Sequence, residues 1–141
     1  MRLCSTLLYG GKNMFIGSVT NWTSVVGTDI PFITELNSNN KISNTNGLIR
    51  LRTNGYWNVD ASLTLSGVTG EVIVSLFADG VEKVTTYAET TLTADVLEAN
   101  VSITDAIKTI LDRNPDIATI SLRVDTPNVV VNGKLRVEYV Q

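Results

Sequence analysis

Tyr56-Trp57-Asn58-Val59-Asp60-Ala61-Ser62-Leu63-Thr64-Leu65 is the stretch whose reading decides the fold. Trp57, Val59, Ala61, Leu63 and Leu65 fall on one side of an extended chain, and Asn58, Asp60, Ser62 and Thr64 on the other. Successive side chains of a strand point to opposite faces, so this alternation means one face buried and one wet. Outward from it the pattern recurs. Residues 71–78 align Val72, Val74, Leu76 and Ala78, and Asp79-Gly80 supplies the tight turn of a hairpin with residues 81–88. Leu97, Ala99, Val101 and Ile103 alternate with polar residues, as do Ala118, Ile120, Leu122 and Val124. Asn132-Gly133 reads as a second hairpin turn, between Val129-Val130-Val131 and a strand in which Leu135, Val137 and Tyr139 face one way. Weaker strand patterns cover residues 30–36 and 48–52.

One helix is predicted over residues 104–113. Thr104 suits an N-cap, Asp105 lies in the first turn, Ile107, Ile110 and Leu111 form a stripe, and Asn114-Pro115 stops it. About eight strands with closely spaced turns and no repeated strand-helix alternation specify an all-β fold. The expectation is an antiparallel jelly-roll β-sandwich with one short helix and an extended N-terminal arm. Residues 1–28 form that arm: they are rich in Gly, Asn, Ser and Thr, and their large apolar residues keep neither period for long. Residues 29–141 form the jelly roll. Leu7, Leu8, Phe15, Ile16 and Trp22 are the arm residues expected to anchor the chain on another protein surface.

Composition narrows the function. A chain of 141 residues is one domain's length and can bury a core without a disulfide or metal. It has no histidine, which removes the Ser-His-Asp and Cys-His arrangements and His-ligated zinc together. Its one cysteine, Cys4, reads as a small apolar residue. The 11 basic and 14 acidic residues are dispersed and sum to −3, so no nucleic acid partner is expected. No run approaches the ~20 apolar residues of a membrane span, and no secretory signal is expected. Asn21-Trp22-Thr23 and Asn100-Val101-Ser102 match the glycosylation pattern by coincidence in an Asn- and Thr-rich chain.

Other motifs fail on inspection. Asp112-Arg113-Asn114-Pro115-Asp116 begins like a calcium loop, but Ile117 stands at the glycine position and Arg123 at the last ligand position. Gly67-Val68-Thr69-Gly70 and Gly10-Gly11-Lys12 complete no phosphate-binding pattern and read as turns. No carboxylate pair stands out from the polar strand faces, so no catalytic residue, metal or cofactor is assigned. Arg50 and Arg52 share a face and read as part of a solvated sheet surface.

Three stretches carry a family likeness: Leu36-Asn37-Ser38-Asn39-Asn40-Lys41-Ile42-Ser43, Asn46-Gly47-Leu48-Ile49-Arg50-Leu51 and Asn54-Gly55-Tyr56-Trp57-Asn58-Val59. Together they resemble the front half of a TNF/C1q-like jelly roll, in which a glycine-aromatic-x-aliphatic start opens a central strand. Leu76-Phe77-Ala78-Asp79-Gly80-Val81 resembles the hairpin of that module, and Leu135-Arg136-Val137-Glu138-Tyr139-Val140 its last strand. The disulfide-free, Asn- and Thr-rich character is similar to bacteriophage versions, which form trimeric decorations, head fibres or fibre tips.

The resemblance implies a homotrimer around a threefold axis, built on the sheet that holds the first, central and last strands. Ile30, Phe32, Tyr56, Tyr139 and Val140 are then the expected interface residues. It further implies a non-enzymatic virion structural protein, a capsid decoration or head-fibre knob at the virion surface, joined to other virion proteins through the arm. The alternative is a receptor- or glycan-binding fibre tip, with a host surface glycan as partner. That would want exposed aromatics in distal loops, for which Tyr87 is the main candidate. A glycan-processing enzyme would need a carboxylate pair in a concave pocket.

Overall fold

The computed structural model describes residues 14–68, 70–92, 99–109 and 118–140. They form ten strands: β1 (Met14–Thr23), β2 (Ile33–Asn37), β3 (Ile42–Thr45), β4 (Leu48–Leu51), β5 (Gly55–Ser66), β6 (Gly70–Ala78), β7 (Val81–Leu92), β8 (Ala99–Thr109), β9 (Ala118–Val124) and β10 (Val130–Tyr139). Two five-stranded sheets result, in the orders β2-β1-β10-β5-β8 and β3-β4-β9-β6-β7. The pairings are antiparallel, and the all-β jelly roll follows the expected class.

The decisive alternation on β5 is realised residue by residue. Trp57, Val59, Ala61, Leu63 and Leu65 are buried between the sheets, and Leu135 and Val137 lie beside them on β10. The opposing layer supplies Val72, Val74 and Leu76 from β6 and Ile120, Leu122 and Val124 from β9. Each such side chain withdrawn from water contributes on the order of 1.5–3 kcal/mol. The Asp79-Gly80 hairpin also forms as read. Both residues take positive φ, 52° and 79°, as a type I′ turn requires.

Aspartates close the second sheet at two corners. Thr119 N–H donates to the Asp79 carboxylate while Asp79 N–H donates to the Thr119 carbonyl, each at 2.9 Å. Asp125 repeats the exchange with Ile73, at 2.8 and 3.0 Å. The segment before β2 is tied to the same sheet, since Ile30 N–H donates to the Leu122 carbonyl at 2.7 Å. Ser24, buried just after β1, clasps the β9–β10 connection. Its hydroxyl donates to the Thr126 carbonyl and accepts from Val129 N–H, and its amide donates to the Val129 carbonyl.

Four expectations need correction. Residues 104–109 continue strand β8 instead of starting a helix, with Thr104 opposite Asp60 and Ile107 opposite Trp57. The remainder of the expected helix, residues 110–113, lies outside the described residues. An apolar pair four apart, such as Ile103 and Ile107, fits a strand face as well as a helix stripe, and pairing along the whole of β5 decides between them.

Asn132-Gly133 is not a hairpin turn but lies within β10, opposite Thr64-Leu63. On the β1 side the register shifts between Val19 and Trp22, and the Asn132 side chain accepts from Asn21 N–H at 2.8 Å across that bulge. Gly133 has a φ of 149°, and a Cβ there would stand 2.2 Å from the Ser62 carbonyl oxygen. The glycine serves close backbone approach, a use that shares its sequence signal with a turn.

The third correction concerns the arm. Residues 14–23 are strand β1, hydrogen-bonded between β2 and β10, so this part of the 1–28 segment belongs to the sandwich. The fourth concerns Ile30 and Phe32, expected at a subunit interface. Both are core residues, at 0% and 1% exposure.

Candidate functional site

The functional candidate is the outer face of the β2-β1-β10-β5-β8 sheet. Strand parity fixes its members. Where Trp57, Val59 and Ala61 point inward, Tyr56, Asn58, Asp60 and Ser62 point out. Their register partners on β10 are Lys134, Arg136 and Glu138, which in turn lie opposite Ser18, Ile16 and Met14 on β1. Ile33 and Leu36 of β2 are paired with Ser18 and Ile16, and so share this face. Lys108 and Ala106 of β8 complete it beside Tyr56 and Asn58.

The face mixes apolar and charged residues within its cross-strand rows. Its apolar residues are Met14, Ile16 and Leu36 on β1 and β2 and, across β10, Tyr56 and Val140, with Glu138 opposite Met14 and Arg136 opposite Ile16; Leu36 is 45%, Tyr56 43% and Val140 53% exposed. Val140 is held by its N–H, which donates to the Tyr56 carbonyl at 2.8 Å. Ile33, 71% exposed, lies further along β2, a strand whose five residues are all exposed. Charged pairs occupy the middle of the face. Lys134 Nζ is 3.3 Å from Glu35, and an Arg136 guanidinium nitrogen is 3.6 Å from Asp60. Hydrogen bonding from Ser18, then from Lys134, holds the Glu35 carboxyl below its ordinary value. Lys108 Nζ sits 5.6 Å from the centre of the Tyr56 ring.

The expected interface residues are thus split. Tyr56 and Val140 stand on this face. Tyr139 faces inward, its ring 4.8 Å from that of Trp57 and its hydroxyl donating to the Asn54 carbonyl at 3.3 Å. Ile30 and Phe32 are in the core. Of the expected anchors, Phe15 is fully buried, Ile16 is half-buried on the outer face, and Trp22 is half-buried near the end of β1. Leu7 and Leu8 lie outside the described residues, as does the side chain of Tyr87. Sequence reasoning missed Met14 and Leu36 as face residues, and on the segment before and into β2 chose Ile30 and Phe32 over the alternating Ile33. The signal for them was present as apolar residues at the outward parity of β1 and β2, next to inward Phe15.

Among the described residues no group of three acidic, Cys or His side chains is placed to hold a metal. Two acids distinguished by their bonding, Asp79 and Asp125, are spent on strand ends, and Asp29 is paired with Arg123 at 2.9 Å.

No family model matches this sequence, and no curated protein matches it. Solved structures do. Murine APRIL at pH 5.0 superposes with a TM-score of 0.75 at 10% identity, over 92% of this chain and 100% of that one. The vertex protein P5 of phage PRD1 superposes with a TM-score of 0.60 at 10% identity, over 92% and 98% of the two chains. The Eiger TNF from S. frugiperda gives 0.62 at 6% identity, over 92% and 94%. At such identities the likeness is one of fold. With two five-stranded antiparallel sheets in this strand order and matches spanning nearly the full length of each chain, the protein carries the TNF/C1q-like jelly-roll fold.

Proposed function

We propose that this protein is a non-enzymatic structural protein of a bacteriophage virion, a homotrimeric capsid decoration or head-fibre knob. The observation that carries the reading is the set of exposed apolar residues on the outer sheet face, Leu36, Tyr56 and Val140 at 43–53% exposure together with Met14 and Ile16, interleaved with Glu138 and Arg136. Large apolar residues grouped on one sheet face lose free energy to water until a partner covers them. Three copies turned about a common axis cover this face by packing it against a neighbour's different surface, with residues at the axis meeting their own copies, and the apolar area so buried holds the assembly without regulation. The phage setting draws on the likeness in fold to the PRD1 vertex protein.

Attachment to other virion proteins, at the virion surface, is assigned to residues 1–13, which carry Leu7 and Leu8, with Ile16 alongside. It cannot be assigned to the whole of 1–28, because β1 is part of the sheet. Light scattering after size exclusion tests the assembly. The full chain and a chain lacking residues 2–13 should both have three times the protomer mass, and only the full chain should join its particle. Monomers in both samples would refute the trimer.

A further inference from the structure

A second surface lies at the opposite end of β1 from Met14. There an open cleft of about 470 Å³ runs between the residues that follow β1 and the β3–β4 hairpin. Trp22, Pro31 and Leu48 give it apolar walls, and Thr28, Asp29 and Asn46 bring polar groups to it. Its shape is fixed by local bonding. The Asn44 amide donates to the Phe32 carbonyl at 2.7 Å, and its oxygen accepts from Gly47 N–H at 2.8 Å, tying the hairpin to the segment that holds Pro31. Gly47 allows the contact: a Cβ there would stand 1.8 Å from the Ile30 carbonyl oxygen. Arg123 holds Asp29 in place through one carboxylate oxygen and is itself stacked 4.5 Å from the Phe77 ring centre.

What remains unused in the cleft defines a ligand. Among the described residues the Trp22 indole N–H and the Asn46 side-chain amide make no hydrogen bond, and the second Asp29 oxygen accepts none. Trp22 packs against the core and lines the cleft with its remaining surface, where an indole beside proline and leucine suits the C–H face of a sugar ring. A carboxylate oxygen and an amide offer the acceptor and donor pairs that vicinal hydroxyls bridge. The one charged lining residue is acidic, which disfavours a carboxylated or sulfated sugar.

We infer that this cleft binds a neutral hexose unit of a glycan, stacked on Trp22 and hydrogen-bonded to Asp29 and Asn46. The site is complete within one protomer, so it stands or falls independently of the trimer.

The chain has two tryptophans, and the other, Trp57, is fully buried, which gives the test an internal control. Full-length ¹⁵N-labelled protein is titrated with the methyl glycosides of glucose, galactose, mannose and N-acetylglucosamine, each to tens of millimolar, the range of a single weak sugar contact. The two indole N–H signals are followed, and Trp22→Phe assigns them. At least one sugar should shift the Trp22 signal saturably and leave Trp57 unmoved. Asn46→Gly, which removes the amide and keeps the positive φ of 50° at this turn, should weaken that response about tenfold, in keeping with loss of one or two hydrogen bonds, with the Trp57 signal reporting an intact fold. No shift with any of the four sugars, or equal movement of both signals, overturns the inference. Sample mass measured alongside separates this result from the trimer's: a monomer that shifts keeps the site and loses the trimer.

Discussion

The two faces of the β2-β1-β10-β5-β8 sheet share one backbone and obey different rules. The inner face is apolar along its length, and Trp57, Val59, Ala61 and Val137 are at most 1% exposed. The outer face mixes the apolar Met14, Ile16, Leu36, Tyr56 and Val140 with Asn58, Asp60, Ser62, Glu138 and the Lys134 and Arg136 pairs. Burial within one protomer explains the first. It does not explain the second, since an outer face evolved only for water has no use for Met14, Ile16, Leu36 and Val140 together. The difference teaches that folding of the protomer accounts for every apolar residue on one surface of this sheet and leaves several on the other uncovered.

Neighbouring residues let that contrast be broken. Trp57→Ala, on the inner face, should cost about 3–5 kcal/mol of stability and shift the urea midpoint far downward, because the cavity is enclosed. Gly133→Ala comes next, since a Cβ at 2.2 Å from the Ser62 carbonyl forces two strands apart. A loss of roughly 2 kcal/mol or more is expected, within the range for overpacking and positive-φ strain. Tyr56→Asp with Val140→Asp should barely change the stability of the protomer, by about 0.5 kcal/mol, as surface substitutions do. Yet it should lower the particle mass threefold by placing six carboxylates at one axis. If that double variant unfolds instead, the outer face is part of the fold and the contrast is lost.

The smallest effect concerns the charged pairs. The Glu35 carboxyl is held below its ordinary value, so its contribution is present above the unfolded-state pKa and disappears as pH falls through the lowered folded-state value. Glu35→Gln should therefore lower the melting temperature slightly at pH 7 and leave it unchanged near pH 2, below the carboxylate range. A difference that persists at low pH would show that the hydrogen-bond geometry, not the charge, matters.

These faces were unequally legible in the sequence. β5, β6, β9 and the Asp79-Gly80 hairpin could be read because each buries one face and wets the other, the condition under which alternation appears. β1 could not be, because Met14 and Ile16 are apolar on the outside as Phe15 and Val19 are inside, and two apolar faces erase the period. The feature that hid the strand is one on which the proposed interaction face rests. Ile30 and Phe32 were misplaced for a related reason: they reach the core from a connecting segment, where no periodicity reports direction. Asn132-Gly133 shows a limit of local signals, since a dipeptide that permits a turn equally permits a bulge between paired strands. The cleft was beyond sequence reading altogether, as it joins the end of β1 to a hairpin over twenty residues later.

The register of β1 on β10 has a mechanical consequence. Met14 is opposite Glu138 and the two strands run antiparallel, so residues 14 and 140 lie at one end of the same ladder. A load drawing these residues apart would meet the cross-strand bonds one at a time, as a zipper opens, instead of loading them together in shear. A tether at residue 14 would thus find the sandwich weak along its own first strand unless neighbouring copies clamp that end, where Met14, Tyr56 and Val140 of the outer face also lie.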